Sequence, residues 1–155
     1  MTSRRNALGA LLGLLTLVTA HADAPQPVVI QTQVVFLPLP EGTFTASAPL
    51  CASGTFRALS LVSNPSVAHG WTARHEYTCD DNSGTFELQF HPQATKIYAQ
   101  NPQPEFTVAG PWQIVKGGTG RYTKLTGYGD FGVVIDFSTE PWTGEESFVG
   151  FVQLN

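Results

Sequence analysis

A two-residue hydrophobic period is the feature that most restricts what this chain can fold into. Over residues 71–79, Trp71, Ala73, His75, Tyr77 and Cys79 share one parity, and Thr72, Arg74, Glu76 and Thr78 share the other. Successive side chains of an extended strand point to opposite faces, so the pattern reads as a strand with one covered and one wet face. The run 80-DDNSG-84 follows. Residues 85–90 then set Phe86, Leu88 and Phe90 against Thr85, Glu87 and Gln89. Two alternating runs joined by a short Asp/Asn/Gly turn predict a β-hairpin.

The same period recurs along the chain. Residues 28–37 form a β-branched run halted by Pro38 and Pro40. Residues 54–62 end at Asn64-Pro65, residues 94–99 make a short strand, and 101-NPQP-104 reads as a loop. Residues 106–115 carry Pro111, which predicts a bend, an edge or a bulge. Residues 130–137 set Phe131, Val133, Ile135 and Phe137 against Asp130, Gly132, Val134 and Asp136, and residues 147–154 close the chain. No stretch after residue 24 carries a helical period. Some eight short strands with turns between them predict an all-β domain, either sandwich or barrel.

The first residues read as an export signal rather than as part of the fold. Arg4 and Arg5 precede an uncharged Leu-rich run, residues 7–20, and Ala20-His21-Ala22 supplies small residues before Asp23. The run is too short to span a bilayer and lacks the polar face of a buried helix. The division is therefore a signal peptide over 1–22 and one domain over 23–155. The expected location is secreted or periplasmic, with general secretion favoured over twin-arginine export because Ala7 stands where that signal usually has phenylalanine. Losing Arg4 and Arg5 takes the net charge from −4 to −6. An acidic chain without a Lys/Arg cluster excludes nucleic acid as the expected partner, since phosphate neutralisation dominates such binding. Cys51 and Cys79 are the only cysteines, and an isolated pair in an exported chain predicts one disulfide.

The run 116-KGGTGRYTKLTGYGDFGVVIDF-137 raises the question of a phosphate cradle. Gly120 is followed by Arg121-Tyr122, so the P-loop pattern fails, and glycines return too soon for the long helix a dinucleotide fingerprint needs. A corner fits better: Gly117, Gly118 and Gly120 allow a tight turn, residues 121–125 have room for one helical turn, and Gly127 and Gly129 let the chain re-enter a curved sheet. Trp112-Gln113-Ile114-Val115, Gly117-Gly118-Thr119-Gly120-Arg121-Tyr122 and Leu125-Thr126-Gly127-Tyr128-Gly129 together resemble the hallmark of the allene oxide cyclase and dirigent superfamily. That resemblance covers about 18 residues. It implies a single antiparallel eight-stranded β-barrel of calycin-like shape, working on a reactive hydrophobic molecule without metal or redox cofactor. It also leaves a homo-oligomer open, although no interface stripe is legible.

Chemistry must then be sought on strand faces. His75 shares its face with Trp71 and Tyr77, an aromatic setting with one titratable tip. These three are the candidate ligand-binding residues, although a lone histidine on an apolar face is more commonly a core residue. Arg74, Glu76, Asp130 and Asp136 read as solvated. Residues 80–84 only faintly resemble a calcium loop, because glycine comes fifth and His91 stands at the twelfth place, so no metal is expected. Hydrolase signatures are absent. Trp112 and Trp142 read as core, and Glu140, Glu145 and Glu146 as an exposed loop before the last strand. The expected function is cofactor-free binding of an apolar or phenolic small molecule. The rivals are a cyclase or isomerase acting in the lumen, and a structural or interaction protein whose barrel is filled by its own side chains.

Overall fold

The structure, a computed structural model, describes residues 24–64, 70–91, 94–100, 103–115 and 118–155. Residues 1–22, where the sequence predicts an export signal, lie outside them, as do Lys116 and Gly117 of the glycine run. Nine strands form: β1 (Gln26–Phe36), β2 (Pro40–Ala46), β3 (Ser53–Asn64), β4 (Gly70–Cys79), β5 (Thr85–Phe90), β6 (Ala94–Gln100), β7 (Gln103–Val115), β8 (Thr126–Asp136) and β9 (Trp142–Gln153). One 3-10 turn, Gly120–Tyr122, is the whole of the described helix.

Every pairing is antiparallel, and the sheet runs β5-β4-β3-β2-β1-β9-β8-β7 before β7 returns to β5. Eight strands therefore close into a barrel, one of the two architectures the strand pattern allows and the one the resemblance implies. The ninth, β6, is the continuation of β5 along the same edge of β7. Phe90 faces Trp112 and Ala94 faces Ala109, so the β5–β6 side has one residue more than β7 across the junction. Pro111 sits at that bulge, where it has no N–H to contribute, and its carbonyl accepts from the His91 amide at 2.9 Å.

The alternation becomes burial. Val28, Ile30, Thr32 and Val34 of β1, Phe86, Leu88 and Phe90 of β5, and Phe131, Val133 and Ile135 of β8 all point inward. β7 begins at Gln103, inside the expected 101–104 loop, and β8 at Thr126 rather than 130; two further strands depart more from the sequence reading. β2 was not expected at all: Pro40 opens it opposite Phe36, a first-residue position that tolerates proline, and Phe44 is its only large apolar residue. β9 starts at Trp142 rather than at 147, so Glu145 and Glu146 lie in a strand and not in a loop.

Trp112 fills the wall beside the glycine corner. It is buried, and its indole N–H donates to the carbonyls of Asp130 at 3.0 Å and Val149 at 3.2 Å. Gly129 and Gly150 face each other across β8 and β9 to make room for that ring. A Cβ on Gly150 would meet the Tyr128 carbonyl at 2.1 Å and Trp112 Cζ2 at 2.8 Å. Gly150→Ala is therefore expected to cost about 2 kcal/mol or more, the usual scale of overpacking, read as a lower urea midpoint at unchanged m-value. A cost under a few tenths would show that the wall yields.

Candidate functional site

The two ends of the barrel differ. One is plugged. The 3-10 turn lays Tyr122 over the lumen, where its ring meets Phe86 edge-on with centroids 5.4 Å apart and its hydroxyl lies 3.2 Å from Ser83 Oγ. Leu125, whose amide donates to the Tyr122 carbonyl at 3.1 Å, and Leu50 are also buried. Gly120 adopts φ 57°, the left-handed turn expected of the glycine run. Cys51 and Cys79 are bonded at this end, fastening the turn after β2 to the end of β4.

Between the ends the lumen is packed. Tyr77 stacks on Phe86 with centroids 5.0 Å apart, Phe131 stacks on Phe148 at 5.7 Å, and Phe90 meets Phe148 edge-on at 5.3 Å. Into this aromatic filling β4, β1 and β9 each insert a polar group: His75, Thr32 and Glu146, none more than 4% exposed. His75 lies flat against Phe56, centroids 5.1 Å apart, and edge-on to Phe90 at 4.7 Å. The Thr32 hydroxyl donates to Glu146 Oε2 at 3.0 Å. His75 Nδ1 is 3.7 Å from the same oxygen, too far for a hydrogen bond. Among the described residues neither that nitrogen nor the Tyr77 hydroxyl has a hydrogen-bond partner.

Burial sets the charge state of this group. A desolvated ion is costly, so loss of water drives both partners neutral. Burial lowers His75 to about 3. It raises Glu146 to about 7, against the opposing pull of the Thr32 hydrogen bond. Tyr77 is pushed up by burial and further by the Glu146 carboxylate. At mildly acid pH the contact between His75 and Glu146 is thus one between a neutral imidazole and a neutral carboxylic acid, not an ion pair.

Among the described residues the opposite end is open, and a cleft of about 40 Å³ leads from it down to these two groups. Phe36, Pro40, Leu61 and Trp71 form its mouth; Phe90, Val133 and Ile135 form its walls, with His75 and Glu146 at the floor. That volume admits a few atoms. It is far from the several hundred cubic ångströms of a drug-sized ligand cavity.

Of the residues the sequence singled out, Trp71 and His75 line this cleft, while Tyr77 lies deeper and does not. Arg74 and Glu76 face outward as expected, paired with Glu87 and Arg57 respectively. Trp112 is core, whereas Trp142 is half-exposed and packs edge-on against Phe137. Glu146 is the residue that sequence reasoning missed. Its parity was the available signal: Glu146, Phe148 and Val152 share the inward face of β9, while Glu145 faces out and accepts from Gln33 Nε2 at 3.0 Å.

Among the described residues no three His, Cys, Asp or Glu side chains gather closely enough to hold a metal ion, and no helix is long and apolar enough to cross a membrane. Comparison with protein-family models, with curated proteins and with solved structures finds no match for this chain.

Proposed function

We propose that this chain is an exported, cofactor-free barrel that holds the polar tip of a small apolar or phenolic molecule in its open end. One observation carries the reading: a buried His75 Nδ1 without a partner sits beside a protonatable Glu146 at the floor of an aromatic cleft. An unsatisfied buried polar atom costs about 1–3 kcal/mol, a cost a bound hydroxyl would remove. A neutral acid and a neutral imidazole supply one donor and one acceptor without charge, which suits an uncharged ligand. The cleft admits only the tip, so the body of the ligand would rest on the mouth formed by Phe36, Leu61 and Trp71.

The likeness to allene oxide cyclases and dirigent proteins is part of the same proposal. Its support is the glycine motif standing at the corner of a closed eight-strand barrel. A second reading is favoured by the phenylalanine-filled lumen: a barrel that binds nothing and serves as a structural or interaction module. A cyclase or isomerase would use the same Glu146 and His75 as acid and base and would be recognised by turnover.

Titration calorimetry with a matched pair, 4-propylphenol and propylbenzene, separates these readings. Binding of the phenol at least tenfold tighter than of the hydrocarbon is expected, with that preference lost in Glu146→Leu and His75→Phe. Absence of heat for both compounds at millimolar concentration, with the protein folded, would leave the filled barrel as the better account.

A further inference from the structure

The exposed large apolar side chains fall mainly into two groups, one on the barrel wall with Val29, Tyr128, Val149 and Phe151, and one at an end of the barrel. Leu37, Leu39, Leu61 and Trp142 are each 45–48% exposed, and Val62 is 60% exposed. Leu37 and Leu39 come from the β1–β2 turn, Leu61 and Val62 from the end of β3, and Trp142 from the start of β9. Phe36 pairs with both Pro40 and Trp142, which holds the first and last of these tips side by side. All five stand at the open end, around the cleft that Leu61 helps to line. The plugged end presents Asp81, Asn82, Thr119, Arg121 and Lys124 instead.

Exposed leucines scattered singly are ordinary; a crown of them at one pole, with a tryptophan at its border, is the pattern of a body that rests on an interface. The charges narrow the occupant. Glu41 and Glu140 are exposed just behind the tips and Asp136 lies beside them; Arg57, opposite Glu41, is paired with Glu76, so the acids stay in excess, and the described turns at this end contain no Lys or Arg. A second copy set end to end would bring these carboxylates against their own kind, and an anionic lipid surface would repel them. An ammonium-bearing zwitterionic headgroup layer complements them.

We propose that the open end of the barrel seats on a zwitterionic lipid surface, with the apolar crown among the lipids and the carboxylates at the headgroup amines. The seating stands on the crown. What it would achieve, passing an apolar ligand into the cleft without a transit through water, rests on the function proposed above.

The test is flotation of the chain from residue 23 onward, which carries every described strand, with vesicles of phosphatidylcholine and phosphatidylethanolamine. Wild type is expected to float. The doubly substituted Leu37→Glu/Leu39→Glu protein should lose about tenfold in partitioning, since two apolar contacts become charges. Trp142→Ser, on a different strand, should lose several-fold. A variant of the separate apolar patch on the barrel wall, Val149→Glu/Phe151→Glu, should float as wild type does, with thermal midpoints checking each fold. Four results would overturn the seating: folded wild type that stays in solution, equal loss in the wall variant, flotation only on anionic vesicles, or a crown-dependent dimer in velocity sedimentation without lipid. Flotation without any phenol binding in calorimetry would keep the seating and remove the proposed function.

Discussion

Glu146→Gln is expected to stabilise the protein above neutral pH and to leave it nearly unchanged near pH 4.5. The glutamate sits at about 7 in the folded chain against an ordinary 4.5. Between those values the folded state binds the extra proton, so stability falls as pH rises and the full penalty is present above 7. At about 1.4 kcal/mol per unit, that penalty is on the order of 3 kcal/mol for this fully buried group. His75 works in the opposite sense. Its folded value of about 3 lies below the ordinary 6.5, so the unfolded state binds the extra proton and stability is lost as pH falls from 6.5 to 3. That loss is on the order of 5 kcal/mol. Between about 4.5 and 6.5 the two slopes cancel, giving a plateau in the wild type. Glu146→Gln should convert the plateau into a rise with pH, and His75→Phe into a fall. The measurement is unfolding free energy from urea titrations across pH, taken as the difference between variant and wild type so that exposed acids such as Asp81 and Asp136 drop out. Difference curves flat from pH 4 to 8 would show that neither group is held neutral in the folded state.

Removing the disulfide, as Cys51→Ala with Cys79→Ala, should cost about 3.5 kcal/mol, the loop-closure entropy returned to an unfolded chain with a 28-residue separation. Both cysteines are buried at the plugged end, and Cys79 stands four residues along β4 from His75, beyond Tyr77. The variant should therefore unfold at lower urea yet keep the plateau in its pH profile. A loss of less than about 1 kcal/mol would mean that the unfolded chain is already constrained there. Loss of the plateau would mean that the two ends are coupled.

The strands that the sequence revealed are those whose inward residues are large and regularly spaced. Phe86, Leu88 and Phe90, or Phe131, Val133 and Ile135, announce a period of two because each buries a whole side chain against the lumen. β2 stayed hidden because its inward set is Pro40, Gly42, Phe44 and Ala46: two are residues that usually end strands and one is small. The inward direction of the face carrying His75 follows from closure, a property of eight strands together that no single strand contains. Glu146 was obscured by chemistry: an acid next to an acid, after Pro141-Trp142-Thr143-Gly144, has the composition of a wet loop. Only its parity with Phe148 gives it away, and parity has meaning only once the strand is known to reach that far back. The plugged end was legible in outline from its glycines, yet Tyr122 as the plug was not, because one aromatic in a turn carries no period.

β1 pairs with β9 along its full length, from Gln26 opposite Val152 to Phe36 opposite Trp142. The first and last strands of the chain are thus neighbours in the wall. While the polypeptide is being synthesised, β1 and β8 both keep bare edges until β9 emerges. Hairpins can form on the way, but the ring cannot. Until β9 emerges the chain therefore exposes the two features that promote strand-to-strand aggregation, an unpaired edge and an apolar inner face. A nascent barrel of this kind needs cover until β9 arrives, and loss of β9 would leave an open sheet in place of a shortened barrel.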